Sequence, residues 1–372
     1  MRSLYIHVPW CIRKCPYCDF NSHEWSGELP EKAYVDTLIQ DVHEDIARFG
    51  SSELGSIFIG GGTPSVLSGE AYARLFDALS QCFTWENDIE ITLEANPGTV
   101  DQQRFKAYRL AGINRLSLGV QSFSAKYLKA LGRIHDGPQA EKAILLAQEV
   151  GFTNFNIDLM YGLPGQSAEE ASEDLLKAFS FQPKHLSWYE LTIEPNTQFY
   201  KKPPSLPKEE HMWAIEQVGL QHLEAAGYHR YEISAFSKPG YAARHNLQYW
   251  QYGDYYGIGA GAHGKLHSKE GIFRTQKHKM PKAYLDPQKP FLSAIHTVTD
   301  AEKIFEFMLN TTRLLRPIPI AWFTQQTGLP VERIIPFWDI AQQKGFLERT
   351  AEHWQLTSLG RRYTNDVQAI FL

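Results

Sequence analysis

Cysteine is scarce: this chain of 372 residues has four, too few to staple a protein of its size by disulfides. Long apolar runs are missing too, with no stretch of about eighteen apolar residues that would read as a membrane-spanning helix. The amino terminus carries one Arg and then Ser3-Leu4-Tyr5-Ile6-His7-Val8-Pro9, without the apolar region and small-residue site of an export signal. Neither sign of charge is in large excess. A net charge of −5 with 21% charged residues gives no field that would draw a phosphate backbone, so no nucleic-acid partner is expected. Hydrophobic residues at 43% and aromatics at 13% exclude disorder and collagen-like repetition. Length and composition imply a compact protein of two or three domain equivalents, and the cysteine usage fits a reducing cytoplasm.

From Ser3 to about Glu190, short apolar runs alternate with segments of helical period. Strands are expected at Leu4-Val8, Ser56-Ile59, Ile89-Glu94, Arg115-Gly119, Asn154-Leu159 and His185-Glu190. Helices are expected at Glu31-Phe49, Glu70-Cys82, Asp101-Ala111, Pro138-Val150 and Ala168-Phe179. Ser68 and Asp101 read as N-caps, and Gly50, Gly112 and Gly151 as helix stops. Six βα units in series imply α/β architecture with a parallel sheet. The unusual residues all fall at strand carboxyl ends: the cysteines after the first, Gly60-Gly61-Gly62-Thr63-Pro64 after the second, then Glu94, Gln121, Asp158 and Glu190. In a barrel those ends share one mouth, so a partial TIM-like (β/α)6 barrel over residues 1–195 is the expected fold.

Residues 196–297 open with Pro203-Pro204-Ser205-Leu206-Pro207 and a helix candidate from Lys208 to Ala226. They also hold the glycine-dense run Gly257 to Gly264, which reads as backbone approaching something closely. Residues 298–372 read as helices with a hairpin, Phe346-Glu348 with Trp354-Leu356, in a winged-helix-like α+β module. Such modules often bind DNA, but eight Lys or Arg against eight Asp or Glu leave no electrostatic footprint for it. Packing or partner binding is expected instead, and Trp250 and Trp322 are candidate exposed contact residues.

Cys11, Cys15 and Cys18 place three soft thiols on one short loop, a ligand set for an iron-sulfur cluster or, less well, for zinc. Zinc would need a fourth ligand, for which His7, His23 and Cys82 are candidates. Cys82, on the apolar face of its helix, is otherwise expected to be a buried core thiol. A cubane held by three cysteines leaves one iron corner free for a small molecule.

This spacing, after an N-terminal strand and before a βα series, resembles the radical S-adenosylmethionine (SAM) superfamily. The resemblance implies a 4Fe-4S cluster on Cys11, Cys15 and Cys18, and SAM contacts from Gly61, Gly62, Thr63, Glu94, Arg133, Gln121 and Asp158, with Tyr5 and Tyr17 flanking the cluster. Further strings, Tyr5-Ile6-His7-Val8-Pro9-Trp10-Cys11, Gly119-Val120-Gln121-Ser122 and Asp158-Leu159-Met160-Tyr161-Gly162-Leu163-Pro164-Gly165, are similar to the oxygen-independent coproporphyrinogen dehydrogenase family. The dehydrogenase itself carries another cysteine two residues after the third, where this chain has Cys18-Asp19-Phe20, and a longer segment before the first cysteine. The sequence is closer to the heme chaperone branch, whose His-Asn-x-x-Tyr-Trp heme motif is matched by His245-Asn246-Leu247-Gln248-Tyr249-Trp250. That likeness implies heme as a ligand of His245, respiratory hemoproteins as acceptors, and scope for a homodimer and a peripheral membrane contact.

Overall fold

The computed structural model describes residues 1–372. Six parallel strands pair in chain order to form the expected partial barrel: β1 (Arg2–Val8), β2 (Glu53–Gly61), β3 (Thr84–Ala95), β4 (Arg115–Gln121), β5 (Phe155–Tyr161) and β6 (His185–Glu190). Between them run α1 (Glu31–Phe49), α2 (Gly69–Cys82), α3 (Gln102–Ala111), α4 (Gly137–Glu149) and α5 (Ala168–Ser180). The helices start where side chains satisfy free backbone N–H groups. Ser68 accepts from Ala71 N–H and Asp101 from Arg104 N–H, while Asp136 with Gln139 and Ser167 with Glu170 form capping boxes. After α3, Gly112 takes the left-handed conformation at φ 108°, open to glycine without a Cβ penalty.

Strand alternation sorts the residues. On β4, Leu116, Leu118 and Val120 face outward into a core of 52 buried residues under the helices. Ser117, Gly119 and Gln121, two apart, line the interior cavity. The core is closely packed, so truncating a fully buried residue such as Leu75 to Ala costs about 2–5 kcal/mol.

A six-stranded arc leaves two edges of unpaired backbone, and residues 196–297 pair with both. Beside β6 lie β8 (Ala235–Ser237) and β7 (His229–Glu232), and beside β1 lie β9 (Tyr255–Ile258), β10 (His263–Ser268), β11 (Gly271–Lys277) and β12 (Leu292–Thr297). This middle region therefore extends the barrel sheet to twelve strands. Its long helix is α6 (Glu209–Ala225). The short α7 (Arg244–Trp250) lies across the amino ends of β1 to β3, where Glu90 accepts from the N–H groups of Arg244 and His245 at 3.3 Å each.

The glycine run meets other parts of the chain itself. A Cβ on Gly257 would lie 1.9 Å from the His263 carbonyl oxygen, and one on Gly259 would lie 2.3 Å from that of His7. The loop is clamped at its back: Gly259 N–H donates to Asp41 (3.2 Å), and buried Lys277 bridges Asp41 and Asp45.

From α8 (Asp300–Thr311) onward the chain has a core of its own, including Phe307, Phe323, Trp338 and Trp354. A small sheet of Ile318–Pro319, His353–Leu356 and Leu347–Arg349 supplies the wing. Arg313 pairs with Glu232 at 3.0 Å, tying this module to the β7 edge. Two expectations are corrected here. Trp250 and Trp322 are half-buried, covered by the guanidinium groups of Arg313 (4.3 Å) and Arg316 (5.4 Å). Cys82 is not a core thiol: it ends α2 half-exposed, 3.8 Å from His43 Nδ1, because the apolar stripe of α2 finishes at Leu79. No helix is long and apolar enough to cross a membrane.

Candidate functional site

The residues assigned from sequence to the cluster, SAM and heme all line one cavity of about 720 Å³ inside the barrel, which His7, His23, Cys82 and Trp322 do not. Cys11, Cys15, Cys18, Tyr17 and Arg133 stand at its mouth, Glu94, Gln121 and Asp158 on its wall, and His245 toward its floor.

Around the cysteine loop the sulfurs meet hydrogen-bond donors. Thr63 Oγ1 donates to Cys11 Sγ at 3.3 Å, Arg133 Nη1 approaches Cys15 Sγ at 3.6 Å, and Ser22 Oγ lies 3.9 Å from Cys18 Sγ. Burial pushes the Cys11 and Cys18 thiols up, and Thr63 opposes this at Cys11. A single zinc ion would need a fourth ligand beside the three thiols, and two of the candidates are otherwise placed. Both ring nitrogens of His7 are bonded, to Tyr5 Oη (2.9 Å) and the Asn21 carbonyl (2.8 Å), and Cys82 lies at the end of α2. A cubane takes one sulfur at each of three iron corners, and donors aimed at those sulfurs tune it, so the three thiols suit a cluster.

Gly61 and Gly62 are required by the chain: a Cβ on either would lie within 2.8 Å of Val8 or Trp10 carbonyl oxygen. Their absence of side chains lets the end of β2 press against the start of the cysteine loop. Gly61 N–H donates to Glu94 (3.2 Å). Burial, with Asp158 nearby, raises the Glu94 pKa to about 8, so the group is largely protonated at neutral pH. A cationic ligand would reverse that. Asp158 is already satisfied, accepting from Ser117 Oγ (3.0 Å) and Asn156 Nδ2 (2.7 Å), though burial raises its pKa. Gln121 sits at φ 69°, unusual for a residue with a side chain, at a register shift that re-aims it to accept from Tyr189 Oη at 2.7 Å. Arg133 Nη2 holds the Gly119 carbonyl at 2.6 Å while its buried Nε has no partner.

His245 projects from α7 into the barrel and is 1% exposed. Its Nδ1 is 3.0 Å from Ser56 Oγ and its Nε2 is 2.9 Å from Tyr249 Oη, and Phe58 stacks on its face at 5.2 Å. Burial, and then Arg115, lowers its pKa to about 3, so the ring is neutral.

Sequence reading missed Phe58, Ser117, Asn156, Ser187 and Tyr189, which hold or adjoin the assigned residues. The available signal was a period of two: Asn156 and Asp158, like Ser187 and Tyr189, are small or polar residues alternating with outward apolar ones.

A model of the Radical SAM superfamily matches residues 5–178, and one of the HemN C-terminal domain matches residues 298–363. Fold and site thus define a radical SAM partial barrel with a HemN-type C-terminal domain. The heme chaperone HemW of Escherichia coli (strain K12) is 49% identical over 100% of this chain and 98% of its own length. The heme chaperones HemW of Haemophilus influenzae and Bacillus subtilis (strain 168) are 47% and 36% identical, again over 100% of this chain and 97% and 99% of theirs. The chain belongs to the HemW family. In fold it matches coproporphyrinogen III oxidase (HemN) from Escherichia coli, described as a radical SAM enzyme, with a TM-score of 0.83 at 24% identity, covering 99% and 89% of the two chains.

Proposed function

We propose that this protein is a heme chaperone that carries a 4Fe-4S cluster on Cys11, Cys15 and Cys18, binds SAM in the barrel mouth, and delivers heme to hemoproteins. One observation carries the reading: the three thiols and the His245 motif, far apart in sequence, line a single cavity. A cluster held by Cys11, Cys15 and Cys18 would supply one-electron chemistry to a sulfonium ligand. The chain's own residues position the ligands. Thr63 and Arg133 hold sulfurs, Gly61 N–H and Glu94 face the amino-acid end of SAM, and Asp158, oriented by Ser117 and Asn156, faces its ribose. Gln121, fixed by Tyr189, and the rings of Tyr5 and Tyr17 complete the wall.

His245 is the imidazole of the heme motif. With α7 seated, Ser56 of β2 holds its Nδ1 and Tyr249 of α7 its Nε2, so ligation by it requires one of these bonds to open. Within this reading the acceptors are respiratory hemoproteins, met in the cytoplasm at the inner membrane face, and the chain acts there as a homodimer. Exposed Ile12 (55%), Phe20 (57%) and Met280 (57%), beside Arg13, Lys14 and Lys279, support such contacts near the mouth.

The test is an iron and sulfide count on anaerobically purified protein, followed by heme titration and transfer to an apo-hemoprotein. Cluster, heme binding and transfer together are expected. Conversion of coproporphyrinogen to protoporphyrinogen with SAM and a reductant would replace this reading with the dehydrogenase.

A further inference from the structure

A second cleft, of about 560 Å³, opens beside the mouth between the cysteine loop and the glycine loop before β10. Tyr5, Gly61, Glu94 and Tyr249 line both this cleft and the main cavity, so the two communicate. Its size lies within the ordinary range for a small-molecule site. Its lining carries two lysines, Lys14 and Lys279, with Asp19 and Glu94. Lys14 Nζ donates to the carbonyls of Phe20 (2.9 Å) and Ser22 (3.4 Å), without a carboxylate partner.

Four histidines line the two cavities, two with both ring nitrogens bonded, one with a single bonded nitrogen and one with neither. His7 and His245 use both ring nitrogens, and His23 Nε2 bonds the Lys279 carbonyl at 3.2 Å. His263 is exposed at the cleft, and its ring makes no hydrogen bond within the protein. Partial burial, then Lys279 and Arg274, push its pKa down, which keeps a nitrogen lone pair available at neutral pH. Its mount is rigid. Gly259 is bonded to Asp41, Ala260 N–H to Tyr34 Oη (3.0 Å), and Asn21 Nδ2 donates to the carbonyls of Ala260 and Lys279 at 2.9 Å each. The glycine run thus holds an imidazole with neither nitrogen bonded at a fixed place, in a cleft lined also by two lysines and the rings of Phe20, Tyr249 and Tyr255.

We propose that, with α7 seated, this side cleft is where heme is captured, His263 acting as axial ligand to the iron and Lys14 and Lys279 meeting the propionate carboxylates. Each element matches a part of the ligand. A neutral imidazole suits the iron, aromatic rings suit the macrocycle, and ammonium groups suit the two anions. The inference rests on the heme-chaperone reading and adds to it a site distinct from His245.

The test is heme titration of the anaerobic, cluster-loaded protein, followed by Soret absorbance and by electron paramagnetic resonance of the ferric complex. His263→Ala is expected to lose the imidazole signature and to bind at least about tenfold more weakly, with iron and sulfide content retained. Added imidazole is expected to restore the signature in that variant. Lys14→Gln with Lys279→Gln is expected to weaken binding and flatten its salt dependence while keeping the imidazole signature. If the unmodified protein binds no heme, the chaperone reading fails and this site falls with it. If it binds heme but His263→Ala keeps wild-type affinity and signature, or imidazole restores nothing, only the His263 site is overturned. Loss of the signature in His245→Ala with its retention in His263→Ala would overturn it equally.

Discussion

The two ends of the barrel treat polar side chains differently. At the mouth, Arg133 Nε has no partner and Glu94 is driven to a pKa of about 8. At the floor, Ser3 bonds Ser56 (2.7 Å), Ser56 and Tyr249 hold His245, and Glu90 accepts from the first turn of α7, while Arg115 Nε and Trp250 Nε1 stay without a partner. A buried polar group without a partner is costly unless something else completes it. Glu94 and Arg133 therefore leave the mouth open to a polar ligand, whereas the bonds of the floor tie α7 to the barrel.

Substitutions sharpen that contrast. The largest effect is expected at the thiols: Cys15→Ala should abolish cluster assembly, with almost no iron or acid-labile sulfide retained, while the circular dichroism of the apoprotein stays native. Next comes the scaffold behind the mouth. Lys277→Met strands Asp41 and Asp45, both 1% exposed or less, and should lower stability by about 3–5 kcal/mol in a denaturant titration. A loss below about 1 kcal/mol would show that the glycine loop does not depend on this ion cluster.

Glu94 makes the mouth sensitive to pH. Its folded pKa of about 8 lies above the ordinary 4.5, so the stability associated with its neutral form is lost as pH rises from 4.5 through 8. A cationic ligand favours the ionised form, so SAM affinity should climb between pH 6 and 8, with proton release below pH 8. Glu94→Gln should weaken SAM binding about 10- to 100-fold and remove that slope, as read by calorimetry in two buffers of different ionisation enthalpy. An unchanged slope would separate Glu94 from the ligand.

The smallest effect is expected at the floor. His245→Ala leaves Ser56 and Tyr249 without a partner and should cost about 1–3 kcal/mol, leaving the cluster spectrum intact. The folded pKa of about 3 lies below the ordinary 6.5, so the stability from neutral His245 is present above pH 6.5 and lost as pH falls toward 3. The variant should therefore show a flatter stability profile over that window. An equal profile would place the acid sensitivity of the floor elsewhere.

Most elements of the barrel were legible because their signals are local. The Ser68 and Asp101 caps, Gly112 and the alternation of β4 act within a few residues, and α1 falls on Glu31–Phe49 as read from its period. The middle region was harder. Strands β7 to β9 are three or four residues long, and β7 to β12 are strands because the open arc has two edges to cover, a fact absent from their own residues. Cys82 misled because helical period gives a face but not where the neighbouring layer ends.

The sequence alone determined the chemistry available: three thiols on one loop, polar residues at the carboxyl ends of strands, and an imidazole motif near residue 245. Their types and spacings are covalent facts. Which groups are free was decided only by the tertiary structure, because hydrogen-bond partners come from distant segments. Ser56 and Tyr249 occupy His245, Asn21 and Tyr5 occupy His7, and only folding leaves His263 open beside the mouth.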